Sequence, residues 1–138
     1  MSERHVLLVE DDPDRVMLTK RALSDAPSRA NVEVAETGDE AIDRLGEGTP
    51  VPDLVLLDLK LPGSDGFDVL DAAGADDMPM VPIVVLTSSD EREDMVRSYE
   101  LGANGFVTKP VDFEEFREVV RHIARFWLEI NTPPRYGG

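Results

Sequence analysis

An open, doubly wound parallel α/β sheet is the fold class this sequence predicts, and three observations predict it. Three short runs, Val6-Leu7-Leu8-Val9, Leu54-Val55-Leu56-Leu57 and Ile83-Val84-Val85-Leu86, are apolar at every position. Strands with one wet face alternate; strands covered on both faces read as continuous apolar runs, and such strands belong to parallel sheets. Helix starts and stops fall between the runs, so strands and helices alternate strictly, without repeat or linker. Short right-handed crossovers then favour a sheet with helices on both faces. Third, the polar residues most able to do chemistry stand just after the apolar runs, where open α/β sheets hold their sites.

Each element has its own signal. Val32-Glu33-Val34-Ala35 alternates and reads as a less buried second strand, and Gly105-Phe106-Val107-Thr108 reads as a short edge strand. Asp12 before Pro13 marks a helix start, an N-cap carboxylate followed by proline at the first helical position. That helix is expected to reach about Asp25 and stop near Pro27. Thr37-Gly38-Asp39-Glu40 has capping-box spacing and opens a short helix through Leu45. Gly46, Gly48, Pro50 and Pro52 form the loop into the third strand. Further helices are expected from Gly66 to Ala73, from Asp90 to Leu101 with Gly102 as the stop, and from Asp112 to Ile130, ended by Thr132-Pro133-Pro134.

Composition bounds the function. The 138 residues suit one domain, expected over residues 1–131 with a tail at 132–138, and 41% apolar content supplies a core. There is no cysteine, hence no disulfide framework or thiol chemistry. No apolar run approaches the roughly 20 residues of a membrane span, and no signal-peptide pattern opens the chain, so a cytoplasmic protein is expected. The net charge of −15 argues against nucleic acid and anionic membrane as partners. Lysine occurs only as Lys20, Lys60 and Lys109. An acidic, lysine-poor surface suits a salt-rich cytosol, where screening weakens self-repulsion.

Glu10, Asp11 and Asp12 follow the first strand, Asp58 the third, Thr87-Ser88-Ser89 the fourth and Lys109-Pro110 the last. Packed carboxylates raise one another's pKa unless positive charge sits among them. A divalent cation plus Lys109 would balance Glu10, Asp11 and Asp58. Oxygen ligands without His or Cys indicate Mg²⁺ or Mn²⁺ rather than zinc. His5 and His122 lie outside this set.

The same residues resemble the response-regulator receiver domains, over essentially the whole chain. The resemblance is carried by Val9-Glu10-Asp11-Asp12-Pro13, by Leu56-Leu57-Asp58-Leu59-Lys60-Leu61-Pro62 with Gly66, by Leu86-Thr87-Ser88, and by the segment from Gly102 through Phe106 to Lys109-Pro110. It implies a flavodoxin-like (βα)5 sheet of order 2-1-3-4-5. It implies Asp58 as phospho-acceptor, Asp11 as direct Mg²⁺ ligand, Glu10 acting through water, and the Lys60 backbone carbonyl as a further ligand. Lys109 and Thr87 would hold phosphoryl oxygens, and the Lys109–Pro110 peptide would be cis. The donor would be a sensor histidine kinase or a phosphotransfer protein, and the protein a switch rather than an enzyme. Thr87 and Phe106 match the switch pair, although Phe106 equally suits a half-buried edge-strand aromatic. Lys60 and Ser89 occupy the positions that tune dephosphorylation.

Phe126-Trp127-Leu128-Glu129-Ile130 resembles the extended last helix of the small receivers paired with phytochrome-type kinases. A homodimer through Phe126, Trp127 and Ile130 is one reading; folding of the aromatics back onto the domain is the other. Three rivals are weaker. A haloacid-dehalogenase-type aspartyl phosphatase wants a second Asp where Lys60 stands. A nucleotide or flavin module wants a glycine-rich loop after the first strand. An adaptor acting without phosphorylation has no need of the complete residue set.

The charge reading is testable by melting the protein in increasing KCl. The melting temperature is expected to rise toward molar salt, and indifference to salt would contradict it.

Overall fold

The computed structural model describes residues 4–25, 30–48 and 50–134. Five strands, β1 (Arg4–Val9), β2 (Ala30–Ala35), β3 (Leu54–Leu57), β4 (Ile83–Thr87) and β5 (Gly105–Thr108), form one sheet in the order β2-β1-β3-β4-β5. Every pairing is parallel. The fold is therefore the flavodoxin-like one. Five helices connect or follow the strands: α1 (Pro13–Ser24), α2 (Gly38–Gly46), α3 (Gly66–Ala73), α4 (Arg92–Glu100) and α5 (Phe113–Ala124).

The apolar runs are explained by two cores, one on each face of the sheet. Val6, Leu8, Leu54, Leu56, Val84 and Leu86 pack against Ala22 and Leu23 of α1 and Phe116, Val120 and Ile123 of α5. Their neighbours Leu7, Val9, Val55, Leu57, Ile83 and Val85 face the other way, against Ala41 and Leu45 of α2 and Val69 and Leu70 of α3. Alternate residues still point to opposite faces, as a strand requires. Both faces are simply covered. β2 lies at one edge with only Ala35 fully buried, which accounts for its mixed pattern.

Local chemistry sets the helix starts. Asp12 caps α1, its Oδ1 accepting from the amide of Asp14 at 2.9 Å. Thr37 caps α2 through Glu40 N at 3.1 Å. The reciprocal half of the expected capping box is shifted by one residue, because the Glu40 carboxylate accepts from the amide of Glu36 rather than Thr37. A complete capping box stands instead at α3, between Asp65 and Asp68. Gly102, at φ +103, ends α4 as expected. Gly46 is the last residue of α2 rather than loop, and Gly48, at φ +98, makes the turn. The expected stop at Pro27 lies outside the described residues.

The last helix reaches Ile130 but not as α-helix throughout. From Arg125 to Ile130 the chain is π-helical, closed by the amide of Asn131 donating to the carbonyl of Phe126 at 2.6 Å. This segment buries Leu128 in the α1–α5 core and half-buries Trp127 against it. Phe126 and Ile130 stay exposed, at 46% and 59%. Trp127 thus belongs to the fold, meeting Phe126 edge-on with ring centroids 5.0 Å apart.

Leu128→Ala is expected to cost about 2–5 kcal/mol of unfolding free energy, and Ile130→Ala less than about 0.5 kcal/mol. Urea unfolding of the monomer measures both. Equal losses would mean that the π segment does not dock as described.

Candidate functional site

The strand ladders run one step beyond the strands, and this step places the polar residues. The amide of Glu10 donates to the carbonyl of Ala35 at 3.0 Å, that of Asp58 to Val9 at 3.1 Å and that of Lys109 to Thr87 at 2.6 Å. Each backbone is thereby fixed by a neighbouring strand, and Glu10, Asp58 and Lys109 converge at the carboxyl end of the sheet. The Lys109 ammonium donates to Oε1 of Glu10 and, at 3.0 Å, to Oδ2 of Asp58. All three side chains are at most 10% exposed. Buried charges persist only when paired and hydrogen-bonded, and this lysine supplies both carboxylates at once.

The remaining carboxylate oxygens also have partners. Oδ1 of Asp58 accepts from the amide of Lys60 at 3.3 Å, and Oε2 of Glu10 from that of Asp12 at 3.3 Å. Asp11 is exposed, and ligand oxygens of Glu10, Asp11 and Asp58 lie within 4.8 Å of one another. Three carboxylates facing one ammonium leave an excess of negative charge. An all-oxygen donor set with that excess suits a hard divalent cation such as Mg²⁺ or Mn²⁺. The residues present fit the ion that their pattern implies.

Burial holds the Glu10 carboxyl above its ordinary value; Lys109 opposes the rise and Asp58 adds to it.

The other expected residues are placed as follows. Thr87 is fully buried, and its Oγ1 accepts from the amide of Ser89 at 3.4 Å. It pairs with Thr108, two residue pairs beyond Val85 and Phe106, so Thr87 and Phe106 share a face of the sheet on adjacent strands. Phe106 is half-buried against the α2–α3 core. Lys60 is exposed. Ser89 is buried and already engaged: its hydroxyl donates to Oδ2 of Asp94 at 2.6 Å and accepts from the amide of Glu91. It ties β4 to α4, whose N-cap Glu91 makes no side-chain cap.

Sequence reasoning singled out Gly66 but not its reason. A Cβ there would stand 2.5 Å from the carbonyl oxygen of Asp58 and 2.6 Å from Cα of Leu59. Only glycine lets α3 start against the backbone that carries Asp58.

Sheet order, strand-end carboxylates and a shared lysine together are the arrangement of a receiver module. Comparison with known proteins fixes the family: residues 6–121 match the response regulator receiver domain, and the chain belongs to that family. It is 36% identical over 134 residues to the probable methanogenesis regulatory protein FilR2 of Methanothrix harundinacea, covering 94% of this chain and 86% of that protein. It is 35% identical to the response regulator Rcp1 of Synechocystis, covering 94% and 92%. Among solved structures, the phosphorylated cyanobacterial phytochrome response regulator RcpA superposes with a TM-score of 0.92 at 31% identity, over 97% of this chain and 100% of that one. The Mn²⁺-bound form of Rcp1 gives 0.89 at 34% identity, over 96% and 99%. Among the described residues no helix is long and apolar enough to cross a membrane.

The raised Glu10 pKa carries a sign. The folded state holds that proton more tightly than the unfolded chain, so Glu10 contributes stability that is complete below its unfolded pKa and lost as pH rises through the folded one. In metal-free buffer, the stability of the wild-type protein minus that of Glu10→Gln should fall across this window in urea titrations. A difference that grows with pH would contradict the assignment.

Proposed function

We propose that Asp58 accepts a phosphoryl group from a sensor histidine kinase or a phosphotransfer protein, and that the resulting acyl phosphate shifts the domain between two conformations. The observation that carries this reading is the Lys109 ammonium bonded between Glu10 and Asp58, with Asp11 alongside. The likeness to RcpA, a cyanobacterial phytochrome response regulator, favours a phytochrome-type kinase as donor.

An Oδ of Asp58 attacks phosphorus in line, a P–O bond forms, and the P–N bond to the donor imidazole breaks. The imidazole leaves and takes up a proton. Attack by an anion on an anionic group is opposed by charge, so catalysis here is positioning and neutralisation. The Lys109 ammonium, already beside Asp58, holds one phosphoryl oxygen. The Thr87 hydroxyl, whose one hydrogen bond among the described residues is a long one from the amide of Ser89, is available to turn and donate to another. Asp11, Asp58 and the Lys60 carbonyl, with Glu10 through water, would hold Mg²⁺ or Mn²⁺, and the ion would supply further neutralisation of the phosphoryl oxygens.

Movement of Thr87 toward the phosphoryl group vacates space on the face that Phe106 shares, and Phe106 turns inward. Phosphorylation then biases an existing equilibrium. The Lys60 side chain, exposed beside the site, tunes hydrolysis directly. Ser89 does so through its bond to Asp94. The protein turns over only its own phosphoryl group and is not an enzyme toward free substrates. We assign the exposed Phe126 and Ile130, braced by Trp127, to a homodimer face. A cytoplasmic location follows from the donor, and nucleic acid is not a direct partner of so acidic a surface.

Incubation with acetyl phosphate and Mg²⁺ is expected to add one phosphoryl mass, absent in Asp58→Asn and in EDTA. No gain with wild-type protein would favour an adaptor acting without phosphorylation. Multiple turnover on a free phosphate ester would favour an aspartyl phosphatase.

A further inference from the structure

The segment from Leu59 to Asp65, between β3 and α3, carries Lys60 and is held from two sides. On one side α3 begins: the amide of Gly66 donates to the carbonyl of Leu59 at 2.9 Å. On the other side lies the start of α2, a helix with no expected role in the chemistry. Gly38, its first residue, is buried, and a Cβ built there would stand 1.9 Å from the carbonyl oxygen of Ser64 and 2.6 Å from its carbonyl carbon. Those are backbone atoms, which cannot yield as a side-chain tip can. Asp39, the next residue, reaches the same place. Its Oδ1 accepts from the Ser64 hydroxyl at 2.6 Å, and its Oδ2 lies 3.2 Å from where a Cβ of Gly63 would be. Gly63, at φ +72, takes a left-handed turn there.

α2 does not need these contacts to form. Thr37 caps it, and Ala41 and Leu45 anchor it in the core. The contacts fix the loop instead. Six residues upstream of Gly66, that loop delivers the Lys60 amide to Oδ1 of Asp58, a bond 3.3 Å long and therefore sensitive to small shifts of the loop.

We propose that the N-terminus of α2 is a clamp on the β3–α3 loop, with Gly38, Asp39 and Ser64 as positioning residues for the Lys60 backbone and, through it, for the acceptor site. The inference rests on the reading of Asp58 and the Lys60 carbonyl given above. None of the three touches the reacting atoms. They act by holding the loop in register, as outer-shell partners hold metal ligands.

The test uses the full chain with Asp39→Ala, Ser64→Ala and the conservative Asp39→Asn, whose side-chain oxygen can still accept from Ser64. Amide hydrogen exchange of metal-free protein reads the loop, and calorimetric titration reads Mg²⁺ affinity. Asp39→Ala and Ser64→Ala should speed exchange over residues 59–65 alone and weaken Mg²⁺ binding by about tenfold. Asp39→Asn should restore both. Unchanged loop exchange and affinity in the two alanine variants would overturn the clamp while leaving the acceptor site standing. Uniformly faster exchange across the strands would overturn it too, by showing general loosening. Failure of the wild-type protein to bind Mg²⁺ would overturn the acceptor reading and the clamp together, and the wild-type titration alone reveals that case.

Discussion

One buried ammonium holds the site together. Glu10 and Asp58 are carboxylates from neighbouring strands, both nearly sealed from water, and in isolation they would repel and take up protons. Lys109, from the far edge of the sheet, bonds to both. Removing one member of such a set leaves charge buried without compensation, which is far costlier than the set is stabilising. The arrangement therefore needs all three backbones in fixed register. Asp11, exposed at the rim, adds the negative charge that a single lysine cannot balance.

The parallel sheet meets this need by its construction. Strands buried on both faces have little freedom to slide, because a one-residue slip would exchange the residues of the two cores. Glu10, Asp58 and Lys109 each extend a ladder by one hydrogen bond, so the register of the cores becomes the register of the site. Around this rigid base the helix starts supply adjustment. Gly66 admits α3 against the backbone of Asp58, and Ser89 with Asp94 ties α4 to the end of β4. Thr87 and Phe106 lie on adjacent strands, on the face of the sheet that packs against α2 and α3.

The fold was legible because its signals are local. Continuous apolar runs, the Asp12-Pro13 start and the Gly102 stop each act within a few residues, and each holds in the structure. The convergence of Glu10, Asp11, Asp58 and Lys109 was legible for a different reason: parallel topology sends every strand end to one crevice. What stayed hidden depends on contacts distant in sequence or on small shifts of register. Ser64 meets Asp39 from 25 residues away, across two loops, with no motif to announce it. The hydroxyl of Ser89 is spent on Asp94, a choice between equivalent acidic neighbours that only packing decides. The π step after Ala124 leaves the apolar spacing of the last helix nearly intact, so periodicity alone reads it as α. The Glu40 side chain missed its expected partner by one residue for the same kind of reason.

The claim on which the rest depends is that Lys109 organises the carboxylates for phosphoryl transfer, beyond merely stabilising the fold. Lys109→Met keeps most of the apolar stem of the side chain and removes the ammonium, with its charge and its hydrogen bonds to Glu10 and Asp58. Followed by intact mass with acetyl phosphate in saturating Mg²⁺, and with the fold checked by circular dichroism, this variant should be phosphorylated about a hundredfold more slowly than wild type. Phosphorylation at the wild-type rate in a folded Lys109→Met protein would contradict the account.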